Sequence, residues 1–150
     1  MSLVYFDTML FVYWIEDHAE HAARVEQVLA AMDKRGDRLC TSVFTLGEIL
    51  IVPYKRGATD AMARIREILR PPRVELLPFT ARTAELYARI RAENRVSPAD
   101  AIHLACAAEA GVDLFLTNDR RLTGLIVPGI DFIAGMGVDL FSSADRSRPG

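Results

Sequence analysis

Short apolar stretches alternate with longer segments of helical periodicity along most of the chain. The short stretches are rich in branched and aromatic residues, which is typical of buried strands. The longer segments repeat apolar residues at intervals of three and four, with charges between them, as amphipathic helices do. The pattern predicts five strands, at residues 3–6, 38–41, 74–77, 112–117 and 130–133, and six helices, at residues 8–15, 18–34, 43–56, 59–69, 81–94 and 98–110.

Strands that alternate with helices predict parallel pairing. The expected fold class is therefore α/β, with three layers, α/β/α, around a mainly parallel central sheet of about five strands. A chain of 150 residues, about half of them apolar, suits one globular domain with a sizeable core. We expect residues 1–141 to form that domain and residues 142–150, which are rich in Ser, Asp, Arg and Pro, to form a flexible tail.

The segment over residues 98–110 has the clearest helix boundaries. Ser97 is placed as the N-cap, Pro98 as the first helical residue and Gly111 as the stop. The helix, PADAIHLACAAEA, has almost no polar face and must be buried. Asp100, in its first turn, has two interpretations: a capping-box acid that satisfies backbone donors, or a functional carboxylate.

Three more acids stand at unusual positions. Asp7 and Asp119 lie just past strand ends, where open parallel sheets build sites. Glu48 is the sole charge in an apolar helix whose side chains are expected to bury most of its circumference, so its carboxylate must be paired, neutralised or bound to a cation. The structural alternatives are a helix cap for Asp7, a turn for Asp119 and an ion pair with an arginine for Glu48.

Four carboxylates brought together would repel one another unless divalent cations lay between them. Mg²⁺ or Mn²⁺ suits a ligand set that contains only oxygen. A carboxylate-held magnesium in a cleft fits phosphoryl chemistry, because the metal polarises the phosphate and lowers the pKa of a bound water. Cys40 and Cys106 are expected to act as small buried hydrophobes, with no disulfide or metal site.

The net charge of −2 argues against a protein that holds nucleic acid by overall positive charge, but it allows a local basic rim. Of the 18 basic residues, 16 are Arg. The apolar N-terminal stretch is interrupted by Asp7 and has no basic leader, so it is neither a signal peptide nor a membrane span. We expect a cytoplasmic protein with no membrane association.

Four segments, VYFDT, TLGEIL, SPADAIHLACA and FLTNDRRL, resemble in order the acidic motifs of PIN-domain ribonucleases, and in particular the VapC-type toxins of toxin-antitoxin pairs. The similarity spans about residues 3–134. It implies Mg²⁺-dependent cleavage of RNA by an activated water, with Asp7, Glu48, Asp100 and Asp119 as catalytic, metal-holding residues. It also implies a homodimer and inhibition by a small VapB-like antitoxin whose tail lies over the cleft.

Further residues are expected around this site. Thr8, Thr117 and Asn118 match positions that assist it. His103, one turn after Asp100, has two interpretations: a packed helix histidine, which is favoured, or a residue that reaches the cleft. Met9, Leu104 and Leu122 depart from the family pattern, which leaves the number of metal ions open. Candidates for the RNA path are four basic residues: Lys55, Arg56, Arg120 and Arg121.

Other function classes fit less well. An aspartyl phosphatase needs an aspartate two positions after Asp7, where Met9 stands, and a phospho-receiver module needs a late lysine, although none follows Lys55. Glycine-rich nucleotide loops and a Gly-x-Ser-x-Gly elbow are absent. Two alternatives stay open: a PIN-fold nuclease outside toxin-antitoxin systems, acting in RNA processing or DNA cleavage, and a non-catalytic PIN-fold interaction module.

Overall fold

A computed structural model describes residues 1–137 of the chain. The predicted domain end at residue 141 and the predicted tail at 142–150 lie outside these residues. The strands are β1 (Leu3–Phe6), β2 (Arg38–Ser42), β3 (Glu75–Leu77), β4 (Leu114–Thr117) and β5 (Phe132–Gly135). The helices are α1 (Thr8–Ile15), α2 (Ala22–Arg35), α3 (Val43–Arg56), α4 (Thr59–Ile68), α5 (Ala81–Glu93), α6 (Pro98–Ala110) and α7 (Arg120–Thr123).

The five strands form one sheet in the order β3-β2-β1-β4-β5, and every pairing is parallel. This confirms the predicted α/β class with its central parallel sheet. The chain runs outward from β1 through β2 to β3 and then crosses to β4, on the other side of β1. The carboxyl ends of β1 and β4 therefore meet at the point where the strand order reverses, which is the preferred ligand position in such sheets.

Both faces of the sheet are covered, which explains why the strands are apolar without alternation. Leu3 and Tyr5 of β1 face a core shared with α5 and α6, whereas Val4 and Phe6 face a core shared with α1, α2 and α4. The side chains of a strand alternate between the two faces, so one short strand contributes to both cores. Because β1 is held by both cores, the backbone direction at Asp7, the residue that follows it, is fixed as well.

Helix α6 is buried as its composition predicts. Its residues Ala101, Leu104 and Ala107 are fully shielded from solvent. The chain between β4 and β5 crosses this helix closely at Gly129, where a Cβ atom would lie 2.6 Å from the Ala108 carbonyl oxygen. Gly129 also has φ +99°, so only glycine suits this crossing. The free thiols of Cys40 and Cys106 are buried, and burial raises their pKa to about 12 and about 11.

Helix α3 has the predicted bounds but not the predicted burial. It continues through Pro53 to Arg56 and is closed by Gly57 in the left-handed conformation. The expectation that its apolar residues bury most of its circumference is wrong. Its exposed apolar side chains, between 45% and 60% accessible, are Val43, Ile51, Val52 and Tyr54. These side chains are exposed because α3 packs mainly on α4 and α1, which leaves the opposite face of the helix uncovered.

Smaller differences concern element boundaries. Helix α2 begins at Ala22 instead of residue 18, because the chain reverses through a turn in which Asp17 has φ 51°. β5 begins at Phe132, two residues later than predicted, and the short helix α7 was not predicted. Among the residues described, no helix is long and apolar enough to cross a membrane.

Candidate active site

The four predicted acids line one cavity of about 420 Å³ at the carboxyl edge of the sheet. Thr8, Asn118 and Arg120 also line it, together with His103. Thr117 borders the adjoining cavity, which shares Asn118 and Arg120 with the first. Arg121 lines neither cavity but is bound to Asp119. Lys55 and Arg56, at the end of α3, line neither, so their place on an RNA path stays a prediction.

Asp7 both caps a helix and faces the cavity. One carboxylate oxygen, Oδ1, accepts a hydrogen bond from the backbone N–H of Thr8 at 2.8 Å, as an N-cap of α1 does. The other, Oδ2, accepts from the Thr117 hydroxyl at 2.8 Å. The backbone N–H of Asp7 donates to the Leu116 carbonyl oxygen at 3.0 Å, which continues the β1–β4 pairing. Capping and a functional role are therefore compatible here.

Glu48 reaches the cavity from α3. Its Oε1 accepts hydrogen bonds from the Thr8 hydroxyl at 2.6 Å and from His103 Nε2 at 2.6 Å. The predicted alternative, an ion pair with an arginine, does not occur within residues 1–137. Burial alone would raise the pKa of Glu48, but the hydrogen bonds from His103 and Thr8, with the attraction to His103, outweigh it and lower the pKa.

His103 is a packed helix residue, as expected, but it also reaches the site. It is 2% exposed, and Nε2 lies 3.8 Å from Asp7 Oδ1 as well as in contact with Glu48. Its other nitrogen, Nδ1, lies 2.6 Å from the Tyr5 hydroxyl. Sequence reasoning missed Tyr5. The available signal was a polar hydroxyl at a strand position that must face a core, because a buried tyrosine hydroxyl needs a partner.

Asp100 lies in the first turn of α6, where the Ser97 hydroxyl accepts the Asp100 backbone N–H at 3.1 Å. Desolvation raises its pKa, and the negative charges of Asp7 and Asp119 raise it further, against the lowering effect of the Ser97 hydrogen bond. Asp100 therefore lies in the negative electrostatic potential of the other acids, and a bound cation would relieve this repulsion.

Asp119 is the N-cap of α7. It accepts the backbone N–H of Arg121 at 3.0 Å, and its two oxygens bind the Arg121 guanidinium at 3.1 Å and 2.8 Å. Hydrogen bonding to Arg121 lowers the pKa of Asp119. Thr117 links this acid to Asp7, since its hydroxyl accepts the Asp119 N–H at 3.0 Å and donates to Asp7. Asn118 donates to the Tyr13 hydroxyl at 2.9 Å.

The donor set fits Mg²⁺ or Mn²⁺ in its chemistry. It consists of carboxylate oxygens around a polar cavity, with no cysteine among them. Within residues 1–137, no three His, Cys, Asp or Glu side chains converge closely enough to ligate one ion as they stand. Mg²⁺ does not require that convergence, because it usually keeps several waters and is held by one or two carboxylates together with substrate phosphates.

With this geometry established, comparison with known proteins identifies the family. A family model for the PIN domain matches residues 4–125, which include all four acids. The chain belongs to the PIN-domain family. A comparison with curated protein sequences gives no significant match.

Solved structures similar to this PIN domain come from toxin-antitoxin systems. A chain of the Rickettsia felis VapBC2 complex, bound to a DNA fragment from its promoter, has a TM-score of 0.72 at 17% identity, covering 89% of this chain and 98% of that one. A chain of DNA-bound VapBC from Salmonella typhimurium gives 0.65 at 24%, covering 91% and 99%. VapC20 of Mycobacterium tuberculosis, described as a sarcin-ricin loop cleaving toxin, gives 0.64 at 17%, covering 82% and 96%. At these identities the likeness establishes the fold.

Proposed function

We propose that this PIN-domain protein is a Mg²⁺- or Mn²⁺-dependent endoribonuclease that hydrolyses RNA phosphodiester bonds, and that it is the toxin of a toxin-antitoxin pair. The observation that carries the proposal is the meeting of Asp7, Glu48, Asp100 and Asp119 in one cavity at the reversal point of the sheet. RNA is the substrate class because a fold relative, VapC20, is described as cleaving the sarcin-ricin loop.

In this proposal the four acids would hold the metal, some directly and the others through its bound waters, and the metal would polarise the scissile phosphate and lower the pKa of a water. Thr8 and Thr117 orient Glu48 and Asp7 through the hydrogen bonds described above. Arg120, on the cavity wall, would contact an RNA phosphate. Asn118 donates a hydrogen bond to Tyr13 and lies between the two adjoining cavities, which it lines on both sides.

The decisive experiment is cleavage of structured and single-stranded RNA by the purified protein, with Mg²⁺ and with a chelator, beside the Asp100→Asn variant. Asp60→Asn is a matched control, because Asp60 is also an acid in the first turn of a helix but does not line the cavity. We expect cleavage by the wild type and by Asp60→Asn with metal, and little by Asp100→Asn. Equal cleavage by all three proteins would reject the proposed site.

The same preparation separates the alternative functions. Cleavage of DNA but not RNA would point to a PIN nuclease of another kind, and binding of a partner without any cleavage would point to a non-catalytic module.

We further propose a small VapB-like antitoxin and a homodimer, because similar chains come from VapBC complexes and α3 carries exposed apolar side chains. A short reading frame just upstream in the genome should encode the antitoxin. Its product, co-expressed and purified with this protein, should suppress cleavage. Sedimentation of the toxin alone should give the mass of two chains, and a single-chain mass at all concentrations would reject the homodimer.

A further inference from the structure

A chain of hydrogen bonds leads from the middle of the sheet to the cavity. It starts at Tyr5 of β1, which is fully buried and stacked on Phe115 with 4.9 Å between ring centroids. The Tyr5 hydroxyl lies 2.6 Å from His103 Nδ1, and His103 Nε2 lies 2.6 Å from Glu48 Oε1. Three elements, β1, α6 and α3, are thus joined through one imidazole ring.

The positions of the protons follow from which atoms can donate. An ionised carboxylate only accepts, so the 2.6 Å contact between Glu48 Oε1 and His103 Nε2 requires the proton on Nε2. In the neutral ring, Nδ1 then accepts, and the Tyr5 hydroxyl is its donor at 2.6 Å. Burial raises the pKa of Tyr5 well above its usual range, so this hydroxyl keeps its proton.

The second hydroxyl near the ring is already committed. Thr45 Oγ1 lies 3.4 Å from His103 Nδ1 but 2.7 Å from Thr41 Oγ1. Thr41 donates its proton to the Phe6 carbonyl at 2.9 Å, so the proton between the two threonines comes from Thr45. Thr45 therefore has no proton left for His103, and the Tyr5 hydroxyl is the group that donates to Nδ1 of the neutral ring.

Glu48 needs such a partner because of its position. Its side chain projects from α3 and is 27% exposed, so its carboxylate would otherwise have several rotamers of similar energy. A rigid ring on the buried helix α6, which also carries Asp100, confines one oxygen of Glu48 to the cavity edge. The Thr8 hydroxyl donates to the same oxygen at 2.6 Å. Because the carboxylate group is planar and rigid, fixing Oε1 also fixes the direction of the second oxygen, Oε2.

We propose that His103 is a positioning residue of the active site, with hydrogen on Nε2 and with Nδ1 accepting from the Tyr5 hydroxyl, and that it orients the Glu48 carboxylate for cation binding. The inference rests on the proposed function of the cavity for its consequence, but the tautomer itself is independent of activity. Groups that support ligands in this way commonly change metal affinity or activity about 10- to 100-fold when they are removed.

The first experiment records the imidazole ¹⁵N signals of the metal-free protein by NMR, because these signals show which ring nitrogens carry hydrogen. We expect His103 to show hydrogen on Nε2 alone. Tyr5→Phe removes the donor but keeps the ring stacked on Phe115, so the Nδ1 signal should shift as it loses its hydrogen bond, while hydrogen stays on Nε2. Hydrogen on Nδ1 in the wild type, or an unchanged His103 spectrum in Tyr5→Phe, would overturn the inference.

The second experiment measures Mn²⁺ binding by electron paramagnetic resonance, without RNA. His103→Gln keeps an amide donor near the position of Nε2, whereas His103→Asn places its amide nearer that of Nδ1. We expect about tenfold weaker binding for His103→Asn and recovery of most of the affinity in His103→Gln. Wild-type affinity in both variants, with the fold intact by circular dichroism, would reject the positioning role.

These two readouts separate this inference from the proposed function. A wild-type protein that neither binds Mn²⁺ nor cleaves RNA would overturn the metal site and, with it, the positioning role of His103. The NMR spectrum would still decide whether His103 carries hydrogen on Nε2 and accepts from Tyr5 at Nδ1.

Discussion

The two sides of the cavity hold their acids by different means. Glu48 and Asp119 have similar side-chain exposure, 27% and 26%, but their partners do not: His103 is 3% exposed, whereas Arg121 is 84% exposed. The Glu48 partner is a ring packed inside the domain. The Asp119 partner is a long, exposed side chain on a four-residue helix.

This difference has an energetic consequence. An exposed ion pair such as Asp119–Arg121 is worth about 0 to 1 kcal/mol and is screened by salt. A cation can therefore replace Arg121 at Asp119, or a phosphate can bind Arg121 in place of Asp119, at little cost. A buried hydrogen bond to a charged group is worth about 1.5 to 3 kcal/mol. The side with Asp7 and Glu48 is therefore pre-organised, and the side with Asp119 is free to adjust to the proposed metal and RNA.

The largest expected effect comes from the pre-organised side. Asp7→Asn removes a charge from the residue that joins β1, α1 and Thr117, and should reduce single-turnover RNA cleavage on the order of 10²- to 10³-fold, as losses of one electrostatic group in an active site do. The amide still caps α1, so the thermal unfolding midpoint should change little. Cleavage within a factor of three of the wild type would contradict the comparison.

A smaller effect is expected from the basic residues, and it tests which of them face RNA. Arg120→Ala should weaken binding of non-cleavable RNA several-fold and reduce the salt dependence of the binding constant by about one unit of slope. Lys34→Ala is the matched control, because Lys34 is an exposed basic residue in the last turn of α2 that lines neither cavity near the acids. An unchanged slope for Arg120→Ala, or equal slopes for both variants, would remove Arg120 from the RNA path.

Glu48 and Asp100 should respond to pH in opposite directions in the metal-free protein. The lowered pKa of Glu48 means that its ionised form stabilises the fold above the usual carboxyl pKa of 4.5, and that this contribution is lost as the pH falls through the lowered value. The raised pKa of Asp100 means that the fold loses stability as the pH rises from 3.8 through the raised value.

Urea unfolding from pH 3 to pH 7, with a chelator present, measures both effects. Relative to Glu48→Gln, the free energy of unfolding of the wild type should increase by about 1 kcal/mol as the pH rises, a figure reduced for the partial exposure of Glu48. Relative to Asp100→Asn, the free energy of unfolding of the wild type should instead decrease across the same range. If both differences had the same pH slope, the contrast between the two carboxyls would be wrong.

The smallest effect is expected at the adjustable side. Arg121→Gln removes the cation that competes with a metal for Asp119, so the Mg²⁺ concentration for half-maximal cleavage should fall by about twofold, in line with the low worth of an exposed pair. Titration of Mg²⁺ at fixed ionic strength measures this. A large rise in the Mg²⁺ requirement would instead mean that Arg121 holds Asp119 in its working position.

Local patterns in the sequence were enough to predict most of the fold. The strand β1 and the helix α6 carry their own signals, an apolar run followed by Asp7 and a helix bounded by Ser97 and Gly111. Such signals depend on neighbours within a few residues. The start of α2 and the burial of α3 were mispredicted because packing, which local patterns do not contain, decides where a helix begins and which of its faces is covered.

By itself, the sequence determined the strand and helix periods, the parallel α/β class and the placing of Asp7 and Asp119 after strand ends. These follow from burial on both sides of a sheet and from the fixed direction of parallel strands. The tertiary structure alone decided that α3 stays largely exposed and that Glu48 is bonded to His103 rather than to an arginine. Residues 5, 48 and 103 lie far apart in the chain, and their meeting depends on how β1, α3 and α6 pack together.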